Sequence, residues 1–526
     1  MKNIKLAEDI IQKLVSMGVR TFCVSPGGRC APFIEVLSRA KGIEICYFYD
    51  ERSCGFFALG RARRDQAPIA VITTSGTAVA ELLPSVIEGY YSGIPLVLIT
   101  ADRPPSYRKQ ATPQTIKDPI ALFKDYSYCS LDLYQPKDVS LSSWIPKQGH
   151  LHLNVCLNEP LLDSAVQNLD FSKTSIKKGG SIYSDLSKKD HKGFESFFKK
   201  CKKPLIFVGE LKEREKPLVE NFLKTSQQPF YLEALSQLHH IQERLLSGEK
   251  ILNYAVKKKE IDGVIRLGGI PRSRFWRDLE TTDIEVLNLS SPPFYAGLSR
   301  ETFHFSLWDH LELLKKHLLN LNNHSENLIN YDREQSEKWI KILEKYPRSE
   351  EAWIRRLKKS FPKNSHVFLG NSLPIRLWDQ ASLVCKHNLS VTGQNGVNGI
   401  DGLISRFFGE CKKSHPNFGI IGDISALYDL SAFWIGKNIP PWTLFIMNNS
   451  GGQIFSRLFK NKAFLNEHHL SFSSLAQFWN FDYKCFKDFE GFRVDQNETS
   501  SLLEICPDQK STDQVFKDYL SIWSDS

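Results

Sequence analysis

Short apolar segments that end in glycine, proline or small polar residues alternate with helical patterns in the first third of the chain. Four of them are typical of buried strands: TFCVSPGG, IEICYFYD, IAVITTSG and PLVLITAD, between residues 21 and 102. The alternation returns in the last third as SHVFLGNS, LSVTGQNG, NFGIIGDIS and WTLFIMNNS, between residues 365 and 450. Because strands separated by helices pair in parallel, the sequence predicts an α/β protein whose first and last parts share one architecture.

The chain has 526 residues, which is too long for a single core, and three domains are predicted. Each is expected to be a mainly parallel sheet flanked by helices, over residues 1–175, 176–345 and 346–526. The polar stretch 172–190 is typical of a linker. The middle part has its own strand patterns and a long polar helical pattern over residues 311–344. It lacks a GxGxxG fingerprint, so no cofactor is assigned to it.

Composition narrows the functional class. Hydrophobic residues make up 41% of the chain and charged residues 24%, as in ordinary globular enzymes. The net charge of +9 arises from 68 basic and 59 acidic residues spread along the sequence, which favours small anionic substrates over nucleic acid. No apolar run approaches the roughly 20 residues of a membrane span. Eleven scattered cysteines without a CxxC pair, and an N-terminus without signal-peptide features, predict a cytoplasmic protein.

One pair of motifs in the last third points to a metal. Gly422-Asp423 and Asn448-Asn449 each follow an apolar strand, and parallel neighbours bring such ends to one edge of a sheet. A carboxylate, an amide oxygen and a backbone carbonyl suit Mg²⁺ that also holds a diphosphate. The alternative is that Asp423 caps a helix and the asparagines form a turn.

The first third carries matching signals at its strand ends, namely YDER at 49–52, TTSGT at 73–77 and ADRP at 101–104. With these segments the sequence resembles the thiamine-diphosphate-dependent enzymes, and most closely the branch that serves menaquinone biosynthesis. The resemblance also covers SPGGR (25–29), HLHLNVCLNEPL (150–161), GNSLPIR (370–376), NGIDG (398–402), GDISALYDL (422–430) and NNSGGQIF (448–455). The motifs occur in the expected order and span both outer parts of the chain.

The resemblance implies thiamine diphosphate and Mg²⁺ or Mn²⁺ as cofactors. Glu51 matches the glutamate that hydrogen-bonds the aminopyrimidine ring, a role that needs a carboxyl group in a low-dielectric environment. Ile400 matches the bulky residue that supports the bent cofactor, although it could equally be a core residue. The implied metal ligands are Asp423, Asn449 and the carbonyl of Gly451. The full implied cofactor-binding set is Glu51, Ile400, Gly422, Asp423, Ser425, Asn449, Gly451 and Gly452.

The implied reaction is decarboxylation of 2-oxoglutarate and addition of the succinyl carbanion equivalent to isochorismate. Both substrates carry more than one carboxylate, so arginines are expected to converge on them. Glu51 and Gln114 match catalytic positions. The matching substrate-binding positions are Arg29, Arg103, Gln114, Arg274, Ser372, Arg376, Asn395, Ile454, Phe455 and Leu458.

The sequence departs from its relatives in the expected substrate site. Asn395 stands where many of them have an arginine that holds the carboxylate derived from 2-oxoglutarate. Gln394 could partly compensate, but a neutral amide cannot neutralise a carboxylate. Gly28 and Pro113 replace a serine and an asparagine that are common in relatives. The cofactor motifs are intact, whereas the substrate motifs are altered.

The resemblance also implies a homodimer or homotetramer with active sites at subunit interfaces. Two other functions remain open on the sequence alone. One is another thiamine-diphosphate-dependent 2-oxoacid decarboxylase or carboligase with altered substrate choice. The other is a degenerate cofactor-binding protein, which the retention of Glu51, Asp423 and Asn449 disfavours.

Overall fold

A computed structural model describes residues 2–110, 112–134, 149–174, 191–291, 293–300, 302–321, 326–494 and 498–524. Its described strands form three sheets in which every pairing is parallel. The predicted α/β class is therefore confirmed. The predicted linker at 172–190 lies outside the described residues from position 175 onward.

The first sheet lies within the first predicted domain and has the order β2-β1-β3-β4-β6-β5. Its strands are β1 (Thr21–Val24), β2 (Glu44–Tyr47), β3 (Ile69–Thr73), β4 (Leu96–Asp102), β5 (Ser127–Leu133) and β6 (His150–Cys156). The four inner strands are buried along their whole length, while the edge strands β2 and β5 are partly exposed. Burial of both faces explains why β1, β3 and β4 have mainly apolar sequences, whereas the equally buried β6 contains two histidines and an asparagine.

The last sheet repeats this order with its own strands, as β13-β12-β14-β15-β17-β16. They are β12 (His366–Leu369), β13 (Ser390–Gly393), β14 (Asn417–Gly422), β15 (Trp442–Met447), β16 (Asp482–Phe486) and β17 (Ser501–Ile505). The prediction that the first and last parts share one architecture is confirmed. The middle sheet has the order β11-β10-β9-β7-β8, with strands β7 (Pro204–Val208), β8 (Phe230–Leu232), β9 (Gly263–Leu267), β10 (Glu285–Ser290) and β11 (Phe303–Ser306).

The helices lie between these strands and at both ends of the described chain. They are α1 (Asn3–Ser16), α2 (Ala31–Ser38), α3 (Glu51–Asp65), α4 (Thr77–Glu81), α5 (Leu83–Ser92), α6 (His191–Lys200), α7 (Lys216–Thr225), α8 (Lys250–Lys257), α9 (Arg274–Asp278), α10 (Leu307–Leu319), α11 (Glu326–Lys345), α12 (Glu350–Ser360), α13 (Leu373–Gln380), α14 (Leu403–Glu410), α15 (Asp423–Tyr428), α16 (Ser473–Trp479) and α17 (Gln509–Ser521). None of the helices in the described ranges combines the length and apolar character needed to cross a bilayer.

Two features differ from the sequence interpretation. The single helical region expected over residues 311–344 consists of two helices, α10 and α11. Their separation follows a polar Asn-rich stretch, which does not favour a continuous helix. The sequence patterns did not assign β5, β6, β8, β11, β16 and β17 as strands. These strands are short or contain polar residues, and they therefore lack a long apolar run even where, as in β6 and β17, they are inner strands of a sheet.

Packing divides the chain into two compact units. The first comprises Met1–Ile182, Gly396–Lys412 and Ala426–Pro440, and the second comprises Tyr183–Asn395, Lys413–Ser425 and Pro441–Ser526. Each of the three sheets falls within one of the three predicted domain ranges, whose boundaries stay a prediction. The first unit has an apolar core of β-strand and helix residues that includes Ile10, Phe22, Ile99 and Leu153.

His150, at the start of β6, is a buried polar residue whose ring is fully used in its neutral form. Its Nδ1 accepts the Leu96 N–H at 2.9 Å, and its Nε2–H donates to the Val86 carbonyl at 2.9 Å. Protonation of Nδ1 would place an Nδ1–H donor opposite the Leu96 N–H donor and break this hydrogen bond. Burial accordingly lowers the pKa of His150 to about 4.

This pKa predicts acid sensitivity of the fold. Between about pH 6.5 and the folded-state pKa of about 4, the unfolded chain binds more protons than the folded chain, so stability falls as the pH falls. The loss can reach about 1.4 kcal/mol per pH unit for one histidine. Urea unfolding at pH 7, 6 and 5 should show a smaller pH dependence in His150→Gln than in the wild type. The exposed-residue control His469→Gln should keep the wild-type dependence, and equal slopes in all three proteins would contradict the assignment.

Candidate active site

Glu51 begins α3 directly after β2, at the carboxyl end of the first sheet. Asp50 caps the helix, since its Oδ1 accepts the Ser53 N–H at 3.0 Å. Glu51 is half-buried, and this desolvation raises the pKa of its carboxyl group above the usual 4.5, with smaller contributions from Asp50 and Glu81. The residue thus has the polarity and burial that its predicted role requires.

The segment that carries Ile400 is fixed against α3 within the first unit. Gly402 has φ of +64°, and a Cβ built there would lie 2.0 Å from the Phe56 ring. Farther along, a Cβ on Gly60 would lie 2.2 Å from the Arg406 carbonyl oxygen. Glycine at these positions lets the backbones of α3 and α14 approach each other. Ile400 itself is half-buried.

A buried ion pair orders the loop that leads to Ile400. Arg406 Nη1 donates to Glu88 Oε1 at 3.0 Å, and neither side chain is exposed. The two carboxylate oxygens of Glu88 also accept the N–H groups of Gly396 and Val397, at 2.7 and 2.8 Å. Charge-assisted bonds to successive backbone groups fix the chain direction here. Sequence reasoning missed Glu88, because a glutamate inside an apolar helix gives no local sign of its distant partners.

The other predicted residues of the first unit lie on loops after its strands. Arg29 is buried, and its guanidinium contacts the Leu157 carbonyl at 3.1 Å and Glu159 at 2.8 Å. Arg103 donates to the Pro113 carbonyl at 3.2 Å. Gln114 is exposed and has φ of +54°, which is unusual for a residue with a side chain. A Cβ at Gly28 would meet nothing within 4 Å, so the absent serine side chain is not excluded by space.

In the second unit, the ends of β14 and β15 bring the predicted metal ligands to one edge. These strands are neighbours, with Gly422 opposite Met447. Asp423 Oδ2 accepts the Gly451 N–H at 2.9 Å, and Asp423 Oδ1 accepts the Ile424 N–H at 2.7 Å. Burial raises the pKa of Asp423, and its neighbouring N–H groups oppose this shift.

Asn449 has one amide oxygen that is buried without a hydrogen-bond partner among the described residues. Its Nδ2 donates to Glu350 Oε2 at 2.9 Å, so the orientation of the amide is fixed. A buried amide oxygen without a partner in the described part of the chain, on the same loop as the Gly451 N–H that Asp423 accepts, is the kind of group that an oxygen-seeking cation would satisfy. These residues therefore fit a magnesium ion.

The loop after β15 is tightly constrained. Gly451 has φ of +138°, and a Cβ there would lie 2.6 Å from the Leu465 carbonyl oxygen. The Gly452 N–H donates to the same oxygen at 2.6 Å. Ser425, predicted to bind the cofactor, is buried just after Asp423. His468, which sequence reasoning missed, places Nε2 3.2 Å from Asp423 Oδ2. His468 lies outside the recognised motifs, so its contact with Asp423 could not be predicted from the sequence.

The predicted substrate residues of the second unit occupy different environments. Ser372 has φ of +75°, and its carbonyl accepts Arg376 Nη1 at 2.8 Å. Non-glycine residues with a positive backbone φ angle often occur at functional sites. Asn395 is buried, whereas Arg274 is exposed and pairs with Asp278 at 3.4 Å. The substrate roles of these residues stay predictions.

The three predicted apolar residues of the second unit differ in exposure. Phe455 and Leu458 are 40% and 59% exposed, and Ile454 is partly buried against the core. Phe455 also contacts the exposed ring of Phe459. Ile454 thus fits the core alternative, and the substrate role of the three residues stays a prediction.

Comparison with known proteins places these features in context. Residues 4–122 match the family model described as the N-terminal TPP binding domain of thiamine pyrophosphate enzymes. A 2-succinyl-5-enolpyruvyl-6-hydroxy-3-cyclohexene-1-carboxylate synthase of Bdellovibrio bacteriovorus is 36% identical over 100% of both chains. The synthase of the same name from Akkermansia muciniphila is 30% identical over 95% of both chains. That of Desulfitobacterium hafniense is 26% identical over 94% of both chains.

Proposed function

The chain belongs to the 2-succinyl-5-enolpyruvyl-6-hydroxy-3-cyclohexene-1-carboxylate synthase family, and from this membership we propose which of its residues carry the reaction. It is a thiamine-diphosphate-dependent enzyme that decarboxylates 2-oxoglutarate and adds the succinyl carbanion equivalent to isochorismate. The observation that carries this assignment is the similarity to the B. bacteriovorus synthase along the whole of both chains. The assignment disfavours the degenerate-protein alternative.

Thiamine diphosphate supplies the carbon chemistry of the decarboxylation when it is bound. We propose Glu51 as the catalytic carboxyl group that hydrogen-bonds its pyrimidine ring. Burial raises the pKa of the Glu51 carboxyl group, which is the direction that a hydrogen bond from this group to a ring nitrogen requires. We propose Gln114 as the second catalytic residue and Ile400 as the apolar support of the cofactor.

The domain roles follow from these residues. We propose that residues 1–175 bind the pyrimidine, that 346–526 bind the diphosphate and metal, and that 176–345 form a central domain. Support comes from the identical strand order of the first and last sheets and from the position of Glu51 and Asp423 at strand ends. The remaining proposed diphosphate contacts are Gly422, Ser425 and Gly452.

We propose that Asp423, Asn449 and the carbonyl of Gly451 hold Mg²⁺ or Mn²⁺, which would bind the diphosphate. The orphaned Asn449 oxygen and the buried Asp423 carboxylate support this proposal. The metal would neutralise phosphate charge at the sheet edge.

We propose that the substrates are bound by the arginines, polar residues and apolar residues that the sequence analysis assigns to them. The carboxylates are assigned to Arg29, Arg103, Arg274 and Arg376, with polar contacts from Ser372, Gln114 and Asn395. The ring of isochorismate is assigned to the apolar surface of Ile454, Phe455 and Leu458, whose exposure supports the assignment. Arg376 and Ser372 are already joined by a hydrogen bond.

The catalytic role of Glu51 is testable by substitution. The wild-type enzyme should consume 2-oxoglutarate only slowly without isochorismate and rapidly with it, and should discriminate against pyruvate. Glu51→Gln should slow turnover by about 10²–10⁴-fold while thiamine diphosphate still binds, because the amide cannot hold the proton. Steady-state rates and cofactor titration by protein fluorescence measure both effects. Near-normal turnover would remove the assigned role, and turnover of pyruvate alone would remove the proposed substrates.

The metal assignment predicts loss of cofactor affinity in Asp423→Ala. Removal of the carboxylate leaves the cation without its one charged protein ligand, so titration calorimetry should detect no Mg²⁺-dependent binding of thiamine diphosphate. Asp482→Asn, at an exposed acid on β16, serves as the matched control and should bind as the wild type does. An unchanged titration for Asp423→Ala would contradict the metal site.

We propose that the enzyme is a homodimer or homotetramer. An aromatic surface on the first unit supports this proposal: Tyr49, Tyr428 and Trp434 are 58%, 49% and 48% exposed. These groups are ordered rather than loose, since the Tyr49 and Trp434 rings meet edge to face at 5.4 Å and Trp434 Nε1 donates to the Tyr47 carbonyl at 3.0 Å. A large ordered aromatic patch is typical of a surface that another chain covers.

Substitution of this surface should change the assembly. Trp434→Arg replaces an exposed ring of the proposed interface with a charge, so sedimentation velocity should show a shift towards the monomer. Phe478→Arg alters an exposed aromatic residue on α16 and should leave the assembly unchanged. If Trp434→Arg sediments as the wild type does, the aromatic surface is not the interface.

We also propose a cytoplasmic location. All eleven cysteines are free thiols in the structure, including the neighbouring pair Cys485 and Cys506 with sulfur atoms 3.7 Å apart. Free thiols in such number are typical of a reducing compartment.

A further inference from the structure

Arg272 lies in the loop between β9 and α9, and its guanidinium reaches the carboxyl ends of two neighbouring strands of the last sheet. Nε donates to Asn395 Oδ1 at 2.8 Å, and Nη1 donates to Asn371 Oδ1 at 3.0 Å. Nη2 donates to the Gln394 carbonyl at 2.5 Å. Asn371 follows β12, and Gln394 and Asn395 follow β13, its neighbour in the sheet. One arginine therefore spans the edge where ligands of parallel sheets bind.

The main chain that carries Arg272 is also fixed. Glu233 Oε1 accepts the N–H of Arg272 at 2.8 Å and the N–H of Ser273 at 2.9 Å. Glu233 is buried, so these bonds are shielded from water. The guanidinium is thus positioned before any ligand arrives, which reduces the entropy lost on binding.

The chemistry of this arginine suits an anionic ligand. The acceptors of these three bonds are neutral amide and carbonyl oxygens, and the guanidinium charge also interacts electrostatically with the carboxyl groups of Glu233 and Asp379. Arg272 is half-buried, and the reduced solvent exposure strengthens attraction to a carboxylate. Asn371 directly precedes Ser372, whose carbonyl holds Arg376, so two arginines are attached to one short segment.

The position of Asn395 gives this arrangement a specific meaning. Asn395 is neutral and buried, and its amide oxygen is bonded directly to the Arg272 side chain. The positive charge of Arg272 is therefore hydrogen-bonded to Asn395, the position at which many relatives have an arginine. Arg274, two residues later, is exposed and paired with Asp278, so it is less suited to this role.

We propose that Arg272 binds the carboxylate that 2-oxoglutarate retains after loss of carbon dioxide, with Asn395 holding the guanidinium in place. The inference rests on the proposed function and adds a specificity-determining residue to it. Charge at this edge comes from the central part of the chain rather than from the strand end itself. An arginine at the position of Asn395, as in many relatives, and Arg272 in this chain would both place a cation where the substrate carboxylate binds.

Substitution of Arg272 tests the proposal through individual kinetic constants. Arg272→Gln should raise KM for 2-oxoglutarate by about ten- to a hundredfold, the loss expected for one charge-assisted hydrogen bond. KM for isochorismate and the dissociation constant of thiamine diphosphate should stay within about twofold of wild-type values. Arg333→Gln removes a partly exposed arginine on α11 and should leave KM for 2-oxoglutarate unchanged.

A charge-relocation variant separates binding from a purely structural role. In Arg272→Gln/Asn395→Arg, the positive charge is transferred from position 272 to its hydrogen-bonded neighbour at position 395. KM for 2-oxoglutarate should then return to within about fivefold of the wild-type value. Arg272→Lys, which keeps the charge but loses the planar fork, should give an intermediate KM and provides a measurement if the glutamine variant does not fold. Thermal melting of each variant monitors folding.

The outcomes are distinguishable. An unchanged KM for 2-oxoglutarate in folded Arg272→Gln overturns the proposal, as does an equal loss of affinity for both substrates and the cofactor. The proposal is also overturned if the double variant has the same KM for 2-oxoglutarate as Arg272→Gln, because restoring the positive charge at this edge would then not restore substrate binding. A wild-type enzyme that does not consume 2-oxoglutarate would instead overturn the proposed function.

Discussion

The close contact of α3 with α14 positions two parts of the candidate cofactor site in the first unit. Glycines at the contact permit the backbones to touch, and the buried Glu88–Arg406 pair fixes the loop before Ile400. Such a pair adds little net stability compared with apolar packing, but removal of one partner typically costs about 3–5 kcal/mol because the other charge remains buried. Its value here is geometric: Glu51 at the start of α3 and the segment around Ile400 are held by one contact.

Parallel strand ends provide the corresponding constraint in the second unit. Because β14 and β15 are neighbours, Asp423 and the loop of Asn449 and Gly451 lie at one edge, and a hydrogen bond joins Asp423 to Gly451. The buried oxygen of Asn449 remains available beside them. Two sheets of identical strand order thus carry different chemistry, since one presents a glutamate of raised pKa and the other presents oxygen ligands.

The substrate edge shows how charge can be supplied from outside a motif. Asn395 interrupts the cationic pattern expected from the sequence, while the Arg272 side chain donates a hydrogen bond to it, which is the basis of the proposed compensation. The two residues are 123 positions apart in the chain. A sequence motif shows that the arginine is absent at position 395. It does not show that Arg272 lies next to this position, because Arg272 is in a loop with no recognisable pattern.

The sequence by itself determined the α/β class, the repeated architecture of the two outer parts, the strands β1–β4 and β12–β15, and the motif positions of Glu51, Asp423 and Asn449. These features depend on local signals: apolar runs, strand-end residues and short motifs whose spacing is fixed along the chain. Only the tertiary structure decided the strand order, the division of the 311–344 region into two helices, and the contacts of Glu88, His468 and Arg272. The physical reason is that strands such as β6 and β17 carry polar residues within a short segment and so leave no long apolar run, even though the fold buries them. Long-range polar contacts, in turn, depend on which strand ends the fold brings together.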